Sequence, residues 1–319
     1  MPGFPKTCSG LPKNWNWSDR LLKSYNIYDI DKEHDGLTLR EYLREKLMLS
    51  RNGLIKVKKS GSLKVNGQTA HTNKLLRTGD RVEFALPDRG SENILPEYME
   101  LDIVFEDEYM IVINKAAGIP THPSRNHYMG TLANGLMYHL MEEGRDITIR
   151  PVNRLDRNTS GLVLFAKSSQ IQHLLSLEGS KANTTKEYLA IAQGWVEADF
   201  GTIDAPIARE KAQSIKRVVR EDGDRAVTHY RVLERYEDFS LLSIILETGR
   251  THQIRVHMAH LGHPLIGDEL YGGEQEKIKR HALHAYKLEM LHPVLHNSLS
   301  FKAELPEDMQ LLIRKYSED

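Results

Sequence analysis

The stretch Arg154-Leu155-Asp156-Arg157-Asn158-Thr159-Ser160-Gly161 runs directly into Leu162-Val163-Leu164-Phe165-Ala166-Lys167. The second half is a short apolar run with the length and residue types of a strand buried on both faces. The first half is a polar turn that delivers one carboxylate, Asp156, to the entrance of that strand. Two readings of the turn stay open on spacing alone. Asp156 with Arg154 and Arg157 makes a structural salt bridge or turn cap, or the arginines hold an ionised carboxylate that acts as a nucleophile toward an electrophilic sugar carbon.

Outward from this stretch, the runs 109–115, 188–194 and 239–247 read as further strands, with helical patterns between them. Ser168 is expected to cap a helix through Ile171, Leu174 and Leu175 that stops at Gly179. Thr251 is expected to cap another through Ile254, Met258 and Leu261 that stops at Gly262, with Pro264 beyond. Asp222-Gly223 marks a hairpin ahead of a strand-like segment from Ala226 to Tyr236. Strands and helices do not alternate regularly, so the fold class expected is α+β and not a doubly wound parallel sheet. The junction Thr248-Gly249-Arg250-Thr251-His252-Gln253-Ile254-Arg255-Val256-His257 joins a strand to a helix. Arg250 and Thr251 at a helix N-terminus offer a phosphate site, or the helix is simply capped with arginines on its surface.

The whole chain has 319 residues, 40% of them hydrophobic and 27% charged, with a formal net charge of -1. That profile excludes disordered, collagen-like and coiled-coil classes. Its aliphatic runs, such as Ile111 to Ile113 and Ile244 to Leu246, fall far short of the roughly 20 residues of a membrane span. The opening residues lack a signal or transit pattern, so the cytoplasm is the expected compartment. The single cysteine, Cys8, argues against a disulfide framework, a thiolate metal site or cysteine catalysis.

Charge divides the chain. From Arg51 to Val82, eight basic residues (Arg51, Lys56, Lys58, Lys59, Lys64, Lys74, Arg77, Arg81) face Asp80 alone, whereas from Asp88 to Tyr109 eight acids face Arg89 alone. The expected division is a leader at 1–14, a small basic domain at 15–87, an acidic linker at 88–100 and a main domain at 101–319. In the small domain, a helix from Leu37 to Leu49 is capped by Thr38 with Glu41 three residues on, a second helix covers 52–59, and Asn66-Gly67 turns a hairpin. Arg51, Lys56, Lys58, Lys59 and Lys64 either grip RNA or form a solvated lysine-rich surface. The role of residues 1–36 is open, with Trp15, Trp17, Leu21, Tyr25 and Ile27 suggesting that part of it packs on the small domain.

Several other chemistries fall away. Residues 31–36 open like a calcium loop, but Tyr42 stands at the twelfth place where a glutamate is required. His257, His260 and His263 at three-residue steps do not converge on one zinc. No phosphate-cradling glycine loop and no Gly-x-Ser-x-Gly elbow is present.

Five motifs occur in order: Arg154 to Leu162; Lys186-Glu187-Tyr188-Leu189-Ala190 with Gly194; Gly249 to His257; Gly262-His263-Pro264-Leu265-Ile266-Gly267-Asp268-Glu269-Leu270-Tyr271-Gly272-Gly273; and His281-Ala282-Leu283-His284-Ala285 with His292-Pro293. Together, from about Leu101 to Glu304, they resemble RluA-type pseudouridine synthases. The basic segment with Ser50-Arg51 and Val65-Asn66-Gly67 is similar to the αL-type RNA-binding module of that family. The resemblance implies a mixed, largely antiparallel sheet flanked by helices, with a cleft across it. It also implies isomerisation of uridine to pseudouridine in RNA, without cofactor or metal.

Carried over by position, Asp156 matches the catalytic aspartate, attacking the anomeric carbon or assisting loss of a sugar proton. Tyr188 matches a tyrosine that packs on the target uracil, with a base role held less firmly because a neutral phenol is a poor base. Arg255 matches the arginine paired with the aspartate, Arg154 the residue entering the stack as the base leaves it, and Lys115 a lysine near the site. Arg250, Thr251 and His252 complete the expected substrate contacts. Asn153 and Ala116 depart from the family pattern, which has His and Pro there. Seven basic against three acidic residues between Arg145 and Lys186 fit an RNA-facing surface. The expected partner is RNA, ribosomal RNA ahead of transfer RNA, bound by a monomer. The rivals are a noncatalytic RNA-binding or ribosome-assembly protein, and a glycosidic hydrolase, which lacks a second carboxylate near Asp156.

Overall fold

A computed structural model describes residues 25–47, 49–85, 94–124, 127–142, 149–177 and 184–317. The expected leader at 1–14, Trp15, Trp17 and Leu21, the helix stop at Gly179 and positions 88–93 of the linker lie outside the described residues. The chain divides into two compact units, Met1–Asp88 and Arg89–Asp319.

In the first unit, β1 (Tyr25–Asp29), β2 (Lys64–Val65), β3 (Gln68–Thr69) and β4 (Arg81–Ala85) form an antiparallel sheet in the order β1-β4-β2-β3. The hairpin at Asn66-Gly67 forms as expected, with positive φ at both residues, the backbone that suits the right-handed twist of the flanking strands. The Asn66 side chain donates to Asp80 and accepts from the Arg81 N–H, which fixes the turn against β4. Thr38 makes the expected capping box with Glu41. The helix it opens is not the single element read from Leu37 to Leu49: α1 (Leu39–Glu41) passes into a wider π turn over Tyr42–Lys46. The wider turn lets Leu47 and Leu49 join the same core as Leu39, Tyr42 and Leu43. Ser50 caps α2 (Arg51–Ser60), which buries Leu54 and Val57 and leaves Arg51, Lys56, Lys58 and Lys59 exposed.

The second unit holds a ten-stranded sheet. Its path runs β10 (Phe200–Asp204), β13 (Val227–Arg235), β14 (Phe239–Leu246), β9 (Thr185–Gln193), β15 (Leu283–Leu291), β8 (Ser160–Ala166), β6 (Met110–Lys115) and β5 (Ile103–Glu106). The short β7 (Arg150–Pro151) and β16 (Ser298–Lys302) flank β8 and β15. Among the described residues only the β8–β15 pairing is parallel, so the sheet is mixed and largely antiparallel, and the fold is α+β.

The apolar run after Asp156 is legible in this arrangement. Alternate residues of a strand face opposite sides, so Val163 and Phe165 join Ile111 and Ile113 in one core while Leu162, Leu164 and Ala166 join Met110 and Val112 in the other. Helices α3 (Leu132–Glu142) and α4 (Ser169–Ser176) cover these faces, α4 capped by Ser168 as expected. Two further helices are α5 (Gln253–His260) and the C-terminal α6 (Glu307–Ser317).

Two local expectations are corrected. Asp222-Gly223 lies in a turn, but the strands on either side of it do not pair with each other. The three-residue β12 (Arg217–Val219) pairs with β11 (Ile207–Arg209), whereas β13 pairs with β10 and β14. The N-cap of α5 is His252, in the left-handed conformation, and not Thr251. The reason is Gln253: its side-chain oxygen accepts from the Arg250 N–H and from Thr248, and its amide group donates to Val227 and Thr228 on β13. That one amide anchors the junction from inside and leaves no capping task for Thr251. Among the described residues, no helix is long and apolar enough to cross a membrane.

Candidate active site

The turn carrying Asp156 is held from four sides. Behind it, the Asn153 amide mimics a strand, accepting from the Leu164 N–H at 2.8 Å and donating to the Leu162 carbonyl at 3.2 Å. The Thr121 hydroxyl contacts both the N–H and the carbonyl of Leu155. Arg280 donates to the Asn158 carbonyl while its guanidinium grips Asp308 on α6 with two bonds of 2.6 and 2.8 Å. The fourth hold is Lys115, whose ammonium donates to the carbonyls of Ala116, Ile119 and Arg157. Asn153, the residue that departs from the family pattern, is thereby a positioning element of the loop. Ala116 takes part through its backbone, which its side chain does not affect.

Strand register brings the next residues into line. Lys115 pairs with Gly161, Gly161 with Ala285, and Ala285 with Tyr188, so Lys115 and Tyr188 end a row that crosses four strands. The glycine in the middle of the row is required by its neighbour's backbone. Gly161 has φ +107, and a Cβ there would lie 2.3 Å from the Ala285 carbonyl oxygen. Both ends of the row feel the Asp156 charge. Burial pushes the Tyr188 hydroxyl up to about 12, with Asp156 adding to the shift. Burial and the nearby Arg280 push Lys115 down to about 7, against the pull of Asp156.

Asp156 itself is partly open to solvent, and its partner comes from α5. Arg255 donates through Nη1 to Asp156 Oδ2 at 3.0 Å, and through Nε and Nη2 to Asp268 at 2.7 and 2.8 Å. The guanidinium is buried and sits 5.0 Å from the centre of the Tyr271 ring. Burial opposes its charge, but Asp268 and Asp156 outweigh that and raise its pKa above the ordinary arginine value. Asp268, which holds Arg255 from behind, is not among the residues expected at the site. It lies inside a quoted motif, and the available signal was the pair of glycines around it: a Cβ on Gly267 or Gly273 would fall 2.0 or 1.9 Å from a backbone oxygen, so the loop is folded too tightly for anything else. Asp268 takes much of the Arg255 charge, so Arg255 orients Asp156 without fully neutralising it.

The remaining expected residues divide. His252 joins the site, its Nε2 3.7 Å from Asp156 Oδ2. Arg154 is exposed at the loop, and Arg157 bonds the Gly118 carbonyl, so the arginines flanking Asp156 do not supply its ion pair, as the local reading had allowed. Lys115 is buried and its ammonium meets three carbonyls, which braces the loop. Arg250 bonds the Arg225 carbonyl and lies 3.5 Å from Asp224, and Thr251 is exposed. His281, in the last motif, touches Thr159 at 2.8 Å and is pushed down to about 2 by burial and by the charges of Arg255 and Arg280, which keeps it a neutral support.

The decoys find ordinary roles. Asp31 caps a short helical turn, and His257 and His263 each hydrogen-bond separate backbone or hydroxyl partners.

Residues 109–260 match the family model described as RNA pseudouridylate synthase. The chain is 41% identical over 289 residues to an uncharacterized RNA pseudouridine synthase of Bacillus subtilis, covering 90% of this chain and 96% of that protein. It is 39% identical over 284 residues to ribosomal large subunit pseudouridine synthase D of Xanthomonas campestris, covering 85% and 86% of the two chains. Among solved structures, human RNA pseudouridylate synthase domain containing 4 is similar with a TM-score of 0.56 and 25% identity, covering 67% of this chain and 92% of that one.

Proposed function

The chain belongs to the RluA-type RNA pseudouridine synthases, and from that premise we propose that it isomerises uridines of large-subunit ribosomal RNA with Asp156 as the catalytic carboxylate. The reaction breaks the bond from the ribose C1′ to uracil N1, turns the base, and joins C1′ to C5. A proton leaves C5 and N1 gains one, so atoms balance without a co-reactant. The observation that carries the reading is the chain Asp268–Arg255–Asp156: a buried arginine, itself held by a buried aspartate, aims a partly exposed carboxylate.

Asp156 either attacks C1′ or takes a proton from C2′, and both routes need the same ionised oxygen at the sugar. Arg255 holds the carboxylate in place through Oδ2. Tyr188, protonated at neutral pH, serves by packing on the base and not as the proton acceptor. Arg154, exposed beside Asp156, is suited to fill the stack when the uridine is extruded. Exposed Arg51, Lys56, Lys58 and Lys59 on α2 suit phosphate contacts in RNA, and Lys64 lies in the same unit. Ribosomal RNA is favoured over transfer RNA because relatives at 36–39% identity carry that substrate in their names.

The test is tritium release from carbon-5-labelled uridine in ribosomal and transfer RNA from cells lacking the protein. Wild type should release tritium from large-subunit ribosomal RNA, and Asp156→Asn should lower the rate by at least about a thousandfold. Release from transfer RNA alone would reassign the substrate. Binding without release from either RNA would point to a noncatalytic RNA-binding protein.

A further inference from the structure

His252 stands in a backbone conformation that few residues other than glycine adopt, φ 59, and its side chain makes no capping bond to repay the strain. Its ring is fixed instead by Tyr271. Nδ1 lies 2.9 Å from the Tyr271 hydroxyl, and the rings meet edge to face at 84°. That hydroxyl already accepts from the Arg217 N–H at 2.9 Å. The carboxylate beside Nε2 only accepts, which favours the tautomer with its hydrogen on that nitrogen, 3.7 Å from Asp156 Oδ2, and leaves Nδ1 to accept from the Tyr271 hydroxyl. Burial and the Arg255 charge favour this neutral form against the pull of Asp156.

A donor and an acceptor 3.7 Å apart are too distant to bond each other well, but one oxygen at about 2.8 Å from both fits between them. The group that gives and takes a hydrogen bond at once is a hydroxyl. In a target nucleotide whose C1′ or C2′ hydrogen faces Asp156, the nearest hydroxyl is the 2′-OH. We propose that His252 and Asp156 together grip the ribose 2′-hydroxyl of the target uridine, so that His252 selects RNA over DNA and Tyr271 positions it. This rests on the assignment of Asp156 made above. Oδ2, already held by Arg255, then anchors the sugar, and Oδ1 faces the reacting carbon.

The experiment is a cycle between enzyme and substrate. Large-subunit ribosomal RNA is assembled by splinted ligation with either ribose or 2′-deoxyribose at a uridine that the tritium assay has mapped as converted. Wild type should lose about 10- to 100-fold in kcat/KM on the deoxy substrate. His252→Asn keeps a residue that tolerates left-handed backbone but withdraws the ring donor, and its deoxy penalty should shrink at least about fivefold. Tyr271→Phe, which frees the His252 ring and also takes the acceptor from the Arg217 N–H, should give an intermediate penalty. Equal deoxy penalties in folded wild type, His252→Asn and Tyr271→Phe would overturn the proposal. If wild type converts the all-ribose RNA, the proposed function stands whatever the cycle shows; if it does not, both fall.

Discussion

At the scale of single residues, the site is governed by how one guanidinium is shared. Arg255 could satisfy two carboxylates only because its fork gives two hydrogens to Asp268 and leaves a third for Asp156. Asp268→Asn removes the buried counter-charge but keeps the volume. The whole Arg255 charge then falls on Asp156, and a chemical melt should show a loss of about 3 kcal/mol, with kcat reduced at unchanged KM. His281 makes a second prediction. It stays neutral in the folded protein down to about pH 2 but takes a proton near 6.5 when unfolded. Its contribution to stability is complete above pH 6.5 and is lost as pH falls from there toward 2. Protein unfolding measured between pH 6.5 and 4 should steepen by up to about 1.4 kcal/mol per pH unit from this group, and His281→Asn should flatten that slope.

At the scale of elements, position depends on register. The row Lys115, Gly161, Ala285, Tyr188 exists because β8 lies parallel to β15 and antiparallel to β6. Slipping any pair by one residue would turn Tyr188 to the opposite face. Gly161→Ala tests this contact most directly. Its new methyl would meet Ala285 backbone atoms within 3 Å, in a φ that alanine avoids, and the protein should lose at least about 3 kcal/mol in denaturant unfolding. Much of this level was legible beforehand. The β8 run, the Thr38 box, the Ser168 cap and the Asn66-Gly67 turn are decided by neighbours within a few residues, and each formed as expected. The junction at Thr251 was not legible, because Gln253 takes its partners from β13, more than twenty residues away in the chain.

At the scale of the whole molecule, charge is separated along the chain: the formal net value of -1 conceals a basic segment and an acidic one. If the α2 lysines contact phosphates, neutralising Lys56, Lys58 and Lys59 together to glutamine should raise KM for RNA with little change in kcat. The slope of log affinity against log salt should fall by about two to three units. Unchanged salt dependence would leave those lysines as a solvated face. What the amino-acid sequence by itself determined was the presence of this chemistry: two-faced burial of the strand after Asp156, the α+β class, and five motifs whose order identifies the family. These depend on residue type and short spacing, which hold in any conformation the chain takes locally. Only the tertiary structure decided which arginine holds Asp156. Arg154 and Arg157 are its neighbours in sequence, yet the partner is Arg255, 99 residues away, with Asp268 behind it and His252 beside it. An ion pair is chosen by distance and burial, and in a ten-stranded sheet with crossing connections both are set by strand order, which no local pattern encodes.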